Sequence, residues 1–245
     1  PMGSSANIEG RIPARHIAGK SVAYGGAVGT GICKLPNLQV GRTGLTEAAA
    51  RKAGYDVVSA LAAVNDKAHY YPGAGTMFIK LIADRSSRQL LGAQILGTDK
   101  VDTVLDIAVT GLYGHATVDQ LADMDLAYAP PFSTAIHPFD HAINVLLNKM
   151  EGQLQSFTPA EYKEGKAEGY RIVDTSQNPS IEGAESVDLT KVNGVLPGWD
   201  PDAKMLLVCT KGRRAYLLQN RLQFYGYTNT KVLEGGTAFN GADLQ

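Results

Sequence analysis

Cysteine is scarce in this sequence: 245 residues contain two, Cys33 and Cys209. Two thiols are too few for a disulfide framework, and free thiols fit a reducing, intracellular setting, so a cytoplasmic location is expected. Long apolar runs are also missing. The stretch from Val57 to Val64, broken by Ser59, falls far short of the roughly 20 residues that a membrane-spanning helix needs. Neither charge is in excess: 23 Lys and Arg stand against 24 Asp and Glu, for a formal net charge of −1. The basic residues are scattered except around Lys211 to Arg214, which argues against a nucleic-acid or membrane surface. The histidines, His16, His69, His115, His137 and His141, are not spaced as metal ligands, so no metal site is expected. No Gly-x-Gly-x-x-Gly follows a strand-like segment, so a dinucleotide fingerprint is lacking.

What is present is enough to build cores. Hydrophobic residues make up 44 % of the chain, and its length suits one large domain or two of ordinary size. Pro1-Met2-Gly3-Ser4-Ser5-Ala6-Asn7 reads as a loop entering a helix, with no initiating methionine or signal peptide. The chain is therefore expected to be a piece of something longer. Residues 4–18 read as a short helix interrupted at Pro13. Residues 21–40, rich in glycine and β-branched residues, read as strand or extended chain. Thr46 is placed to cap a helix over 47–53 that Gly54 closes. Segments 56–64, 76–84 and 90–97, with Ser86-Ser87-Arg88 as a turn, read as strands of an antiparallel sheet. Val101, Val104, Leu105, Ala108 and Leu112 recur at helical spacing, and Thr117 to Gln120 forms a capping box. Asp140 is expected to cap a further helix over 141–149. Strands followed by helices predict an α+β domain.

After Met150 the pattern changes. Residues 151–156 are a polar connection, which places a boundary near residue 153. Thr158-Pro159-Ala160-Glu161 combines a capping box with proline at the first helical position. Segments 170–175, 205–210 and 231–234 read as short buried strands, and 214–225 as a helix closed by Gly226. Strands alternating with helices predict a small α/β domain with a mostly parallel sheet.

Chemistry gathers at Cys209. If it ends a strand and a helix starts within a few residues, the loop amides and the helix N-terminus form an anion-favouring cradle. Lys211, Arg213 and Arg214 add positive charge, and Gly212 lets the loop turn tightly. Such surroundings favour a reactive thiolate, whereas a lone cysteine at a strand end is more often inert. Cys33 has Lys34 as its one basic neighbour and is expected to pack inertly. Two chemistries use a cysteine cradle, phosphate-ester cleavage and sulfur transfer. A phosphatase of this design needs Arg six positions after the cysteine, where this chain has Ala215; Arg214 gives a tighter loop that suits a persulfide.

Cys209-Thr210-Lys211-Gly212-Arg213-Arg214 resembles the active-site loop of rhodaneses in the pattern Cys-x-x-Gly-x-Arg. Ile172-Val173-Asp174, Ile181-Glu182-Gly183-Ala184, Gly226-Tyr227 and Leu233-Glu234-Gly235-Gly236 follow the family's order, over about 158 to 240. The resemblance implies that Cys209 carries sulfur and that Lys211 and Arg214 stabilise its anion or orient a donor. Ser176, Ser180 and Ala215 depart from the pattern at positions usually held by Arg, His and Ser, which puts unaided turnover of thiosulfate in doubt.

A second resemblance covers residues 41–150. Gly41-Arg42-Thr43-Gly44-Leu45, His69-Tyr70-Tyr71-Pro72-Gly73 and Tyr128-Ala129-Pro130-Pro131-Phe132-Ser133 are similar to the C-terminal dimerisation domain of FAD- and NAD(P)H-dependent disulfide reductases, in the coenzyme A-disulfide reductase and NADH oxidase branch. Pro1 to Gly10 is similar to the stretch that closes the FAD domain there, with Ala6, Asn7, Gly10 and Arg11 beside the cofactor. The resemblance implies a homodimer in which Tyr128 and Tyr70 or Tyr71 reach the partner's active site as phenolic donors. It also implies FAD and NAD(P)H in the complete enzyme, and a persulfide, polysulfide or coenzyme A-type substrate. Neither cofactor is expected to bind tightly to this chain alone, which lacks the fingerprints and a redox cysteine upstream. His137-Pro138 departs from the branch pattern, and a structural His137 is favoured over an acid catalyst. The expected layout is a remnant of the FAD domain at 1–20, a dimerisation domain at 21–152 and a rhodanese-like domain at 153–245. The alternative is a non-catalytic dimerisation and docking module with a degenerate second domain.

Overall fold

The computed structural model describes residues 3–244. Pro1 and Met2, read above as part of an entering loop and of the stretch that closes a cofactor domain, lie outside the described residues.

The chain opens with helix α1 (Gly3–Ile17), which buries none of its residues. Pro13 lies inside α1 and does not interrupt it. Its missing N–H leaves the Glu9 carbonyl without a helical donor, and on an exposed helix water can take that place. Residues 18–30 form no regular element.

A five-stranded sheet follows, in the order β1 (Gly31–Leu35), β2 (Leu38–Gly44), β5 (Leu90–Gly97), β4 (Thr76–Asp84), β3 (Val57–Asn65). Every pairing in it is antiparallel. Short helix α2 (Glu47–Lys52) starts at Thr46, whose hydroxyl accepts from Ala49 N–H. Helices α3 (Val101–Tyr113), α4 (Val118–Ala122) and α5 (Pro138–Met150) cover one face. The core between them holds Met77, Ile79, Leu81, Ile95, Leu105, Phe139, Ile143 and Leu146, and apolar burial of this kind is the main driving force for folding. The capping box Thr117–Gln120 forms as expected. Asp140 does not cap α5. Proline at the first helical position moves the start back to Pro138, so His137 becomes the cap and its Nδ1 accepts from Phe139 N–H at 3.2 Å.

The second sheet is wholly parallel, in the order β6 (Ser156–Phe157), β10 (Thr230–Leu233), β9 (Met205–Val208), β7 (Arg171–Asp174), β8 (Glu185–Ser186). The two-residue strands β6 and β8 are too short for a sequence pattern to reveal. Helix α6 (Pro159–Lys163) carries the expected capping box between Thr158 and Glu161. Helix α7 (Arg213–Phe224) packs Leu218 and Leu222 under the sheet, and α8 (Gly236–Asn240) leads into a short 3-10 turn over Gly241–Asp243.

The domains meet along an ionic seam. Glu234, 1 % exposed in its side chain, pairs with Lys149 Nζ of α5 at 2.6 Å and accepts from Ser156 Oγ at 2.7 Å. Its other oxygen takes the N–H of Leu61 on edge strand β3 at 2.8 Å, which hides part of an edge that would otherwise invite foreign strands. Beside this seam the outer face of the first sheet and the second domain leave an open cleft of about 810 Å³, lined by Ile32, Cys33, Val40, Phe78 and Phe239 among others. Cys33 is exposed on β1 and does not pack as expected. Strand alternation turns it to the outer side of an edge strand.

Candidate functional site

Cys209 follows β9 directly and α7 begins at Arg213, so four residues, Cys209 to Gly212, make the turn. Gly212 stands at φ 89°, the left-handed region that glycine enters without a Cβ clash. That turn brings its N–H to 3.1 Å from Cys209 Sγ. The arrangement is the expected one: a sulfur at a strand end, a loop amide aimed at it and a helix N-terminus behind the loop. Cys209 itself is 3 % exposed. The C-terminal helix braces the loop from the other side, with Thr237 N–H donating to Cys209 O at 3.0 Å and Ala238 N–H to Thr210 O at 2.9 Å.

The three cations separate. Lys211 is half-buried, its Nζ donating to Asn65 Oδ1 of the first domain. Burial pushes its pKa down, and the Asp66 carboxylate acts against that push. Arg213 is exposed, and its charge is felt by His141 at the start of α5, whose pKa is lowered chiefly by burial and then by that charge. Arg214 turns to the neighbouring strand: its Nε donates to Thr175 O at 2.7 Å and its guanidinium lies 3.6 Å from Asp188. Ala215 is fully buried in the core of the second domain.

Thr175 is held from below by Asp174, which is 1 % exposed and accepts from the N–H groups of Ser176, Ser180 and Ile181 at 2.8, 2.9 and 3.4 Å. Burial alone would raise this carboxyl, but its hydrogen bonds with Ser176, Ser180 and Ile181 outweigh that and hold it below the ordinary range.

In the first domain, Tyr70, Tyr71 and Tyr128 are all exposed on loops, the first two between β3 and β4 and the third between α4 and α5. Lys100 anchors the Tyr128 loop by donating to the carbonyls of Pro131 and Phe132. His137 has its pKa lowered by burial and by the Lys100 charge, and its Nδ1 is already engaged as a helix cap. Ala6, Asn7, Gly10 and Arg11 lie exposed along α1, away from any glycine-rich phosphate turn. Among the described residues no cluster of His, Cys, Asp or Glu is arranged for a metal, and no helix is long and apolar enough to cross a membrane.

Sequence reasoning missed Asn65, Lys100 and the role of Glu234. Their partners lie 146, 32 and 173 positions away, for Lys211, Phe132 and Leu61 respectively, so no local pattern announces them. The doublet Gly235-Gly236 was a visible signal.

Residues 32–138 match the pyridine nucleotide-disulphide oxidoreductase dimerisation domain, and the first domain is a dimerisation domain of that class, an antiparallel sheet with helices. Among particular proteins, the chain is 38 % identical over 138 residues to the NAD(P)H sulfur oxidoreductase (CoA-dependent) of Pyrococcus furiosus, covering 56 % of this chain and 31 % of that protein. Two solved structures follow 98 % of the chain and extend well beyond it. A NAD-dependent persulfide reductase from A. fulgidus is 31 % identical, with a TM-score of 0.89 over 44 % of its own chain. Reduced Bacillus anthracis CoADR-RHD is 30 % identical, also with a TM-score of 0.89 over 44 % of its chain.

Proposed function

We propose that this chain is the C-terminal part of a flavin- and NAD(P)H-dependent persulfide or coenzyme A-disulfide reductase, in which a rhodanese-like domain carries sulfane sulfur on Cys209. The observation that carries the reading is the loop itself, with the Gly212 amide on the Cys209 sulfur and a helix N-terminus behind it. The names of the Pyrococcus furiosus and A. fulgidus proteins point to the same substrates. With thiosulfate as donor, the Cys209 thiolate attacks the outer sulfur and the S–S bond breaks. Sulfite leaves with the electron pair and a cysteine persulfide remains. The loop amide and the positive end of α7 stabilise the persulfide anion. FAD and NAD(P)H would supply the two electrons for reducing the carried sulfur, and α1 would form part of the wall against the flavin. As in other dimerisation domains, a second copy is the expected partner, with Tyr128 and Tyr70 or Tyr71 presented to it.

A second reading, a docking module that no longer turns over, draws on the burial of Cys209 and on Arg214 being turned toward Thr175 and Asp188. Incubation with ³⁵S-thiosulfate or a labelled persulfide separates the two. Label should appear on the wild type and be absent from Cys209→Ser. Equal labelling of both proteins refutes the carrier role, and no labelling with either donor favours the docking module. Light scattering at micromolar concentration should report a dimer.

A further inference from the structure

We infer that Asn65 of the first domain is a positioning residue for the Cys209 loop, holding Lys211 so that its charge stays beside the sulfur; this rests on the sulfur-carrier reading. Asn65 is the last residue of edge strand β3, fixed by its pairing with Thr76 on β4. Its Oδ1 accepts from Lys211 Nζ, so a loop of one domain is completed by a strand end of the other. A lysine has a flexible four-carbon stem and loses much rotamer freedom when it is held in one place. Left alone, an ammonium two residues from a buried thiol gains most by swinging out to water.

The kind of acceptor matters. Elsewhere along the seam a lysine meets a carboxylate, as Lys149 meets Glu234, and that pair cancels its own charge. Asn65 is neutral: it fixes the ammonium and leaves its charge whole, with two of three N–H donors still available. The neighbouring carboxylate, Asp66, is buried and takes the Gly75 N–H at 2.8 Å, acting on Lys211 through space. Asn65 holds the lysine by a hydrogen bond, and Asp66 acts on it by charge alone. The Glu234 contacts that hold the domains together do not involve Asn65. Removing its amide should therefore alter the loop's charge without parting the domains.

The test compares two alkylating agents at Cys209 in the full chain, in a Cys33→Ser background that removes the exposed thiol. Iodoacetate and iodoacetamide react in the same way, forming a C–S bond and releasing iodide, but only the first is an anion. In Asn65→Leu the iodoacetate-to-iodoacetamide rate ratio should fall about fivefold. Lys211→Gln should show the same fall, and the double variant no further one, because both remove the same charge from the same place. An unchanged ratio in Asn65→Leu, or additive falls in the double variant, overturns the inference. Labelling by thiosulfate carrying ³⁵S in its outer position, and by a labelled persulfide, is run beside it: a wild type that takes label from neither donor defeats the sulfur-carrier reading, whereas the ratio decides the role of Asn65.

Discussion

The N–H of Leu61, in the middle of an edge strand of the first domain, donates to the carboxylate of Glu234 at the end of a central strand of the second, at 2.8 Å. The same carboxylate is paired with Lys149 and bonded to Ser156. One buried side chain thus joins an edge strand, a helix and the start of the second domain. A buried pair is weak evidence for net stability, but breaking one partner leaves an uncompensated charge at a cost of about 3–5 kcal/mol. Glu234→Ala should lower the unfolding free energy by that amount. Chemical denaturation followed by the fluorescence of Trp199, which lies in the second domain, checks it. A loss under 1 kcal/mol would mean that Lys149 finds water.

Strands β3, β4 and β5 were legible because they run eight or nine residues and their turns are marked, whereas the hairpin of β1 and β2 lay unread at the end of a stretch that reads as strand or extended chain over 21–40. Thr46, Thr117 and Thr158 announced their helices by side chains that bond three residues on. The Cys209 loop was legible for the same reason: strand, glycine and helix start lie within a few residues. What the sequence did not reveal depends on distant partners. Arg214 reads as a cation for the sulfur, and nothing local announces its bonds to the Thr175 carbonyl and to Asp188, on other elements. Cys33 looked buried by its neighbours, yet it sits on an edge strand. Asp140 has the chemistry of a cap, but Pro138 two residues earlier decides where the helix begins.

Glu47 gives a pH prediction. Burial alone would raise its pKa, but hydrogen bonds from Lys80, Arg51 and Ser59, with the Lys80 charge, prevail and hold it at about 2. A carboxyl lowered on folding stabilises fully above its unfolded value, 4.5, and that contribution is lost as pH falls toward 2. Glu47→Gln should therefore be less stable than the wild type at pH 7, by about 1–2 kcal/mol after solvent screening. The two denaturation curves should approach each other between pH 4.5 and 2. A constant difference across that window would show that the charge is not the source.

Asp174 shapes the loop that carries Thr175, and thereby the place to which Arg214 is tied. Asp174→Ala leaves three backbone N–H groups without their acceptor, and unsatisfied buried donors cost about 1–3 kcal/mol each at most. The variant should lose about 2–3 kcal/mol. Hydrogen exchange should quicken at Ser176 and Ser180 while strands β3 to β5 keep their protection. Uniform quickening in both domains would assign Asp174 to global stability and not to this loop.

Gly236 is where the fold and the Cys209 loop meet most closely. It stands at φ 54°, and a Cβ built there would lie 2.0 Å from Cys209 O and 2.6 Å from Thr210 O, far inside contact distance. Backbone atoms cannot move aside as a flexible side chain can, and the α8 amides that hold these carbonyls depend on the close approach. Gly236→Ala must then either lift α8 from the loop or push Cys209 away from the Gly212 N–H. Both outcomes reach the sulfur, so uptake of ³⁵S by Cys209 should fall at least tenfold, and the melting temperature should fall by several degrees. Gly241 serves as the control, since a Cβ there meets nothing within 4 Å. Gly241→Ala should label as the wild type does, and if Gly236→Ala labels equally well, the bracing of the loop by α8 is immaterial to sulfur transfer.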